Sequence, residues 1–246
     1  MLHWPAWAGP RSVAGRLTLL TKKLIIAIDG PSGAGKGTIA RTISNALGYR
    51  HIDTGAMYRA VGWKALLDQV SLDDELGVAR IAESASLEVE GGVVSIDGHD
   101  VTRAIRTPEI DRAATSVARL PRVRQALVGR QRAIGANGGV VMEGRDIGTV
   151  VFPDADVKIF LDASAEERAR RRVHDPAHTS GTIGEAAVAA AIAARDRSDT
   201  TRTISPLTAA EQAVRIDTTD LTIDEVVDRV MALVHQSLAD RALGDA

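Results

Sequence analysis

Apolar residues gather in short, nearly unbroken runs at Ile25–Ile28, Val140–Met142 and Val157–Leu161, each closed by an acidic residue. Runs of this length without alternation predict strands covered on both faces, as in a parallel sheet. Between them the spacing changes to a helical one. Met57, Val61, Ala65 and Leu66 fall on one face of a helix running to about Asp68, and Ile223, Val226, Val227, Val230, Leu233 and Val234 form the stripe of another. Only in residues 86–102 does strict alternation recur, punctuated by Gly91-Gly92 and Asp97-Gly98, which predicts a small antiparallel sheet. Strand and helix patterns that alternate in this way define an α/β fold: a three-layer parallel-sheet core with a small antiparallel insertion.

Punctuation residues sharpen the boundaries. Gly48 is placed to cap the first helix, and residues 112–134 read as helix broken near Pro121. Ser164 with Glu167, Thr182 with Glu185 and Thr222 with Glu225 have capping-box spacing. Pro176, Ser180 and Gly181 interrupt the helical pattern, and residues 195–203 alternate charge and hydroxyl without apolar spacing, which predicts a mobile flap. Residues 214–217 form a last short strand.

The first strand leads into Gly30, Pro31, Ser32, Gly33, Ala34, Gly35, Lys36, Gly37 and Thr38, followed by a helix-forming stretch. A glycine-rich turn between strand and helix directs several backbone N–H groups at one anion, and Lys36 adds a full charge. A nucleoside triphosphate, ATP, is the expected occupant. The hydroxyl that usually follows the lysine to hold Mg²⁺ is displaced by Gly37 to Thr38, so Mg²⁺ is expected to be held mainly by phosphates and water, with Thr38 as a possible ligand. This variant of the loop is similar to that of nucleoside monophosphate kinases. Arg59, Arg145, and the pair Arg195 and Arg202 in the flap sit on separate segments, as expected where two phosphorylated molecules must meet and repel. Arg168, Arg170, Arg171 and Arg172 read as a largely solvated face with one or two members reaching the nucleotide. An acceptor phosphate with a second pKa of about 6 is already anionic and needs no general base.

Composition narrows the remaining classes. The 246 residues are 45% hydrophobic and carry a net charge of −2, so any cationic site is local and nucleic acid is not an expected partner. There is no cysteine, hence no disulfide and no thiol nucleophile. The histidines share no metal-ligand spacing and read as structural. No run reaches the roughly 18 apolar residues of a membrane span, and ATP chemistry suggests the cytoplasm. Residues 1–23, with Trp4, Trp7 and unopposed Arg11, Arg16, Lys22 and Lys23, read as a disordered extension or upstream start, with docking or targeting segments as alternatives. No heptad pattern is present, which leaves a monomer as the expectation.

Taken in order, residues 53–59 (DTGAMYR), 106–109 (RTPE), 121–124 (PRVR), 143–153 (EGRDIGTVVFP) and 158–163 (KIFLDA) resemble the bacterial cytidylate kinases over about residues 24–235. The resemblance implies transfer of a phosphoryl group from ATP to CMP, and to dCMP as a further acceptor. It implies that Thr54, Tyr58 and Arg59 hold the acceptor, that Thr115, Arg124 and Asp146 read the cytosine edge, and that Arg145 reaches the phosphate. It also implies sugar and phosphate contacts from Arg195, Asp199 and Arg202. The implied organisation is a core of residues 24–53, 139–170 and 204–235, an acceptor-binding subdomain at about 54–135 and a lid at about 171–203. Ser198 and the short stretch 174–184 depart from the family pattern. Another small-molecule kinase, directed at UMP or shikimate, and a nucleotide-responsive binding protein are the alternatives.

Overall fold

The computed structural model describes residues 23–175 and 184–244. The extension read at residues 1–23, apart from Lys23, and Pro176, Ser180, Gly181 and the Thr182 cap lie outside the described residues. Five strands form the main sheet: β1 (Ile25–Asp29), β2 (Arg50–Asp53), β6 (Val140–Gly144), β7 (Val157–Asp162) and β8 (Val214–Asp217). All pair in parallel, in the order β2-β6-β1-β7-β8. Because Asp29 is in register with both Gly144 and Phe160, the loops after β1 and β6 leave the sheet side by side at its carboxyl edge, where ligands of open parallel sheets bind.

Alternate strand residues supply the two faces. Ile26, Ile28, Val141, Ile159 and Leu161 pack on Ile39 and Ile43 of α1 (Lys36–Leu47) and on Val226, Val230 and Val234 of α8 (Ile223–Gly244). Ala27, Ile52, Val140 and Met142 face the other way, against Ile147, Val151 and Val128. The three layers expected from the apolar runs are therefore present. Gly48, at φ 63°, closes α1 through its N–H to the carbonyls of Asn45 and Ser44.

Between β2 and β6 lies a second apolar cluster, which runs from Ala56 to Leu127. It is built from α2 (Thr54–Leu67), α3 (Glu75–Ser84), the antiparallel β3 (Leu87–Glu90), β4 (Val93–Ile96) and β5 (His99–Asp100), α4 (Pro108–Val117) and α5 (Pro121–Gly135). The α2 stripe is wider than its spacing suggested, since Ala56 and Ala60 are also buried while Leu66 is exposed. Helix α3 went unread because its buried positions are the small Val78, Ala79 and Ala82, while Leu76 faces out. The break at Pro121 is present. The helix before it starts at Pro108 rather than Arg112, because Thr107 accepts a hydrogen bond from the Ile110 N–H and Pro108 lacks the amide that would otherwise be orphaned there.

The reading of residues 195–203 as lacking helical spacing requires correction. Residues through Thr201 belong to α7 (Glu185–Thr201), anchored by Val188 and Ile192 on Ala169 of α6 (Ala165–Val173). Two apolar residues one turn apart suffice because charge contacts hold the rest of the helix. At Ser164 only half of the capping box forms: its Oγ accepts from the Glu167 N–H, while the Glu167 carboxylate turns to Arg170 and Arg171. At Thr222 both halves form, at 2.8 Å from its N–H to Glu225 and 3.3 Å from the Glu225 N–H to its Oγ1. Ile223 at the head of that stripe is exposed. Thr222→Ala is expected to lower stability by about 1 kcal/mol, read as a lower urea midpoint at unchanged m-value.

Candidate active site

Lys36 opens α1 directly after Gly35, whose φ of 89° is a left-handed conformation that a side chain would strain. The lysine is 6% exposed, and its Nζ donates to the Pro31 carbonyl at 2.6 Å, so the loop folds around its own cation. Burial, reinforced by Arg145 and Arg195, pushes its pKa down to about 7, while Glu143 and Asp29 favour the charged form. Lys36 thus stands buried among both cations and acids, and an arriving anion would favour its charged form. Such a site is built for an anion.

Gly37 has a structural cause. A Cβ there would lie 3.2 Å from Glu143 Oε1, so the position that often carries a hydroxyl is occupied instead by the neighbouring strand's carboxylate. Glu143 is held in place by His51 Nε2 at 2.9 Å, and both residues are buried. The reading of the histidines as structural fits His51, yet its partner lies under the phosphate loop. Thr38 is exposed one position further along α1.

Helices α6 and α7 close over the other side of the loop. Arg168 bridges the Ser32 carbonyl, at 3.1 Å, and Asp196, which also lies 3.4 Å from the Ser32 N–H. Arg172 Nη2 donates to Ser32 Oγ at 3.0 Å, and Arg171 is tied to Thr218. Of the four arginines read as a solvated face, only Arg170 fits that description, at 62% side-chain exposure. Their different directions on one helix are real. The partners that α7 and the loop offer them could not be seen in the spacing.

Toward the carboxyl edge of the sheet lies a network built from several groups of paired charges. Asp53 caps α2 by accepting from the Ala56 N–H at 3.0 Å and from Arg59 at 2.7 Å and Arg106 at 3.3 Å. Burial works against its charge, but Arg59 and Arg106 prevail and hold its pKa well below the usual carboxylate range. Thr54 Oγ1 donates to the Glu143 carbonyl at 2.7 Å, which joins α2 to β6. The Tyr58 ring lies 5.5 Å from the Arg124 guanidinium, and burial lifts its hydroxyl to about 12. Arg124 is paired with Asp146, and Arg202 stands 3.9 Å from Asp146 and 3.6 Å from Asp199. Arg145 Nε donates to Asp199 at 2.9 Å, and Arg195 Nη1 to Asp111 at 3.3 Å. Burial opposes the charge on Arg145, but Asp199 raises its pKa, whereas burial lowers those of Arg195 and Arg202.

Every site residue expected from the sequence in residues 54–202 lies on or beside this network, although Thr115 spends its hydroxyl hydrogen on the Asp111 carbonyl at 2.8 Å. Asp53, Arg106, Asp111, Glu143 and Asp196 were missed as site residues. Four buried polar atoms of the network have no hydrogen-bond partner: Tyr58 Oη, Arg59 Nε, Arg124 Nε and Arg202 Nη2. Unmet buried polar atoms are costly, and four of the six among the described residues belong to this network, which makes it a candidate place for a polar ligand. A cavity of about 510 Å³ lies elsewhere, between the amino ends of β7 and β8 and helix α8, lined by Asp156, Lys158, Val214 and Arg241. It contains neither the loop nor an unmet buried donor, so geometry assigns the chemistry to the carboxyl edge.

A lysine-bearing phosphate loop on the central strand of a parallel sheet, opposed by paired arginines from several other segments, defines a phosphotransferase of the P-loop class. A family model described as cytidylate kinase matches residues 26–236. The chain belongs to the cytidylate kinase family. It is 48% identical over 217 residues to a cytidylate kinase of Geobacillus sp. (strain WCH70), covering 87% of this chain and 97% of that protein. It is 50% identical over 214 residues to that of Pelotomaculum thermopropionicum, covering 85% and 95%, and 46% identical over 221 residues to that of Bacillus subtilis (strain 168), covering 88% and 99%.

Proposed function

We propose that the protein transfers the γ-phosphoryl group of ATP to CMP, giving ADP and CDP, with dCMP as a second acceptor. The observation that carries the reading is the set of unmet donors on Tyr58, Arg59, Arg124 and Arg202, placed beside but apart from the Lys36 loop. Two anionic ligands fit this division. The loop Gly30 to Thr38 holds the donor phosphates, and Arg59 and Arg145 grip the acceptor phosphate. Thr115, Arg124 and Asp146 pair with the amino and carbonyl edge of cytosine, and a mismatched uracil edge would leave one of them unmet at about 1–3 kcal/mol. Thr54 and Tyr58 shape the acceptor pocket, while Arg195, Asp199 and Arg202 reach sugar and phosphate.

The acceptor phosphate attacks as an anion, so the residues align and neutralise rather than abstract a proton. Thr38 fits Mg²⁺, since its exposed hydroxyl is a hard oxygen donor at the loop's end. Mg²⁺, when bound there, would supply further charge neutralisation. The domain division into core, acceptor subdomain (about 54–135) and lid (about 171–203) belongs to the same reading, as do a monomeric state and a cytoplasmic site of action. No helix among the described residues is long and apolar enough to cross a membrane.

The test is ADP formation with CMP, dCMP, UMP, AMP, shikimate and no acceptor. Turnover is expected with CMP first and dCMP second, and little with the others. Preference for UMP or shikimate would transfer the assignment to another small-molecule kinase, and ATP binding without acceptor-dependent turnover would make it a binding protein.

A further inference from the structure

We infer that Asp29 is a positioning residue that locks the end of β1 to the turn following Arg145 and Asp146, and so leaves the Asp146 carboxylate to Arg124 and Arg202 on the acceptor side of the site. Asp29 ends β1 immediately before Gly30 and is 3% exposed. Its Oδ1 accepts from the Ile147 N–H at 2.8 Å, and its Oδ2 accepts from the Gly148 N–H at 2.7 Å. These are the first two amides of a π-helical turn, Ile147–Val151, and they precede any acceptor that the turn itself can offer.

The residue ahead of such a turn ordinarily caps it with its own side chain. Asp146 stands at that position and makes no capping bond; its carboxylate is engaged by Arg124 and Arg202 instead. Asp29 meets the capping need from the adjacent strand. One carboxylate at the root of the donor loop therefore fixes the backbone that aims Arg145 and Asp146. Lys36 and Asp146 are both among its electrostatic neighbours, which places it between the two halves of the site. Burial lifts its pKa to about 6, and the two amides act in the opposite direction.

Asp29→Asn keeps one acceptor oxygen but presents an NH₂ group to the other amide, so the turn loosens and Asp146 is free to fold back onto it. The inference rests on the assignment of Arg145 and Asp146 to the acceptor. Asp29→Asn is expected to lower kcat/KM for CMP on the order of 10- to 100-fold and to narrow the CMP-over-UMP preference. The KM for ATP is expected to stay within about twofold, a split that general loosening of the fold would not produce. In the unaltered protein the Ile147 and Gly148 amides are expected to exchange slowly with solvent. Equal losses toward ATP and CMP, an unchanged CMP-over-UMP ratio, or fast exchange at both amides would overturn the inference. The exchange measurement decides alone where Asp29→Asn does not fold. Failure of the unaltered enzyme to use CMP would instead overturn the assignment of the acceptor, while protected amides would still support the lock.

Discussion

Lys36→Ala is expected to lower kcat by about 10³-fold or more with CMP and ATP both saturating, while leaving the thermal transition in place. The expectation follows from the state of the lysine before any nucleotide arrives. Its ammonium is buried, donates to the Pro31 carbonyl at 2.6 Å, and has its pKa pushed down to about 7, first by burial and then by Arg145. Removing a desolvated cation from beside Arg145 and Arg195 relieves repulsion, so the fold has little to lose. Phosphoryl transfer has much to lose, because charge develops on the equatorial oxygens of the moving group. A preorganised cation in a dry site stabilises that charge far more than water can. ATP binding should weaken less than kcat falls, since the loop N–H groups and the arginines still meet the ground-state phosphates. Single-turnover rates and a melting curve check both halves of the expectation. A rate near that of the unaltered enzyme would remove Lys36 from the chemistry.

The loop was legible because strand, glycines, lysine and helix are contiguous in sequence, and each contributes through its local backbone. Sheet and layers were legible for a related reason: runs such as Val140–Met142 are apolar on both faces only where both faces are covered. Helix α3 and the anchoring of α7 were not, since Val78, Ala82, Val188 and Ile192 carry too little apolar area to stand out from a polar background. The site was half legible. Arginines could be picked out as cations, but not the acids that hold them, because Arg59 meets Asp53, Arg195 meets Asp111 and Arg168 meets Asp196 through the fold rather than through helical spacing. Glu143 is the clearest loss. It closes an apolar run and opens the 143–153 segment, but its significance lies in its packing against Gly37, which neither position in the sequence discloses alone.

Asp146→Asn is expected to cost both stability and selectivity. Asp146 is buried between Arg124, with which it is paired, and Arg202, 3.9 Å away. Neutralising it leaves two guanidinium groups facing one another, and breaking a buried pair from one side costs about 3–5 kcal/mol. Arg202 keeps Asp199 at 3.6 Å and the Ser205 carbonyl, so the loss should fall mainly on Arg124, whose Nε already lacks a partner. Urea unfolding measures that part. Selectivity is the part that tells a site from a strut: if Asp146 helps to read the cytosine edge, kcat/KM for CMP should fall on the order of 10²-fold while that for UMP changes much less. Pairing Asp146→Asn with Arg124→Met separates the two effects. The double variant removes the buried charge as well as its partner, so it should regain much of the lost stability, but it cannot regain the discrimination. Recovery of the CMP-over-UMP ratio along with stability would mean that Asp146 and Arg124 only support the fold, and that the base is read by other groups.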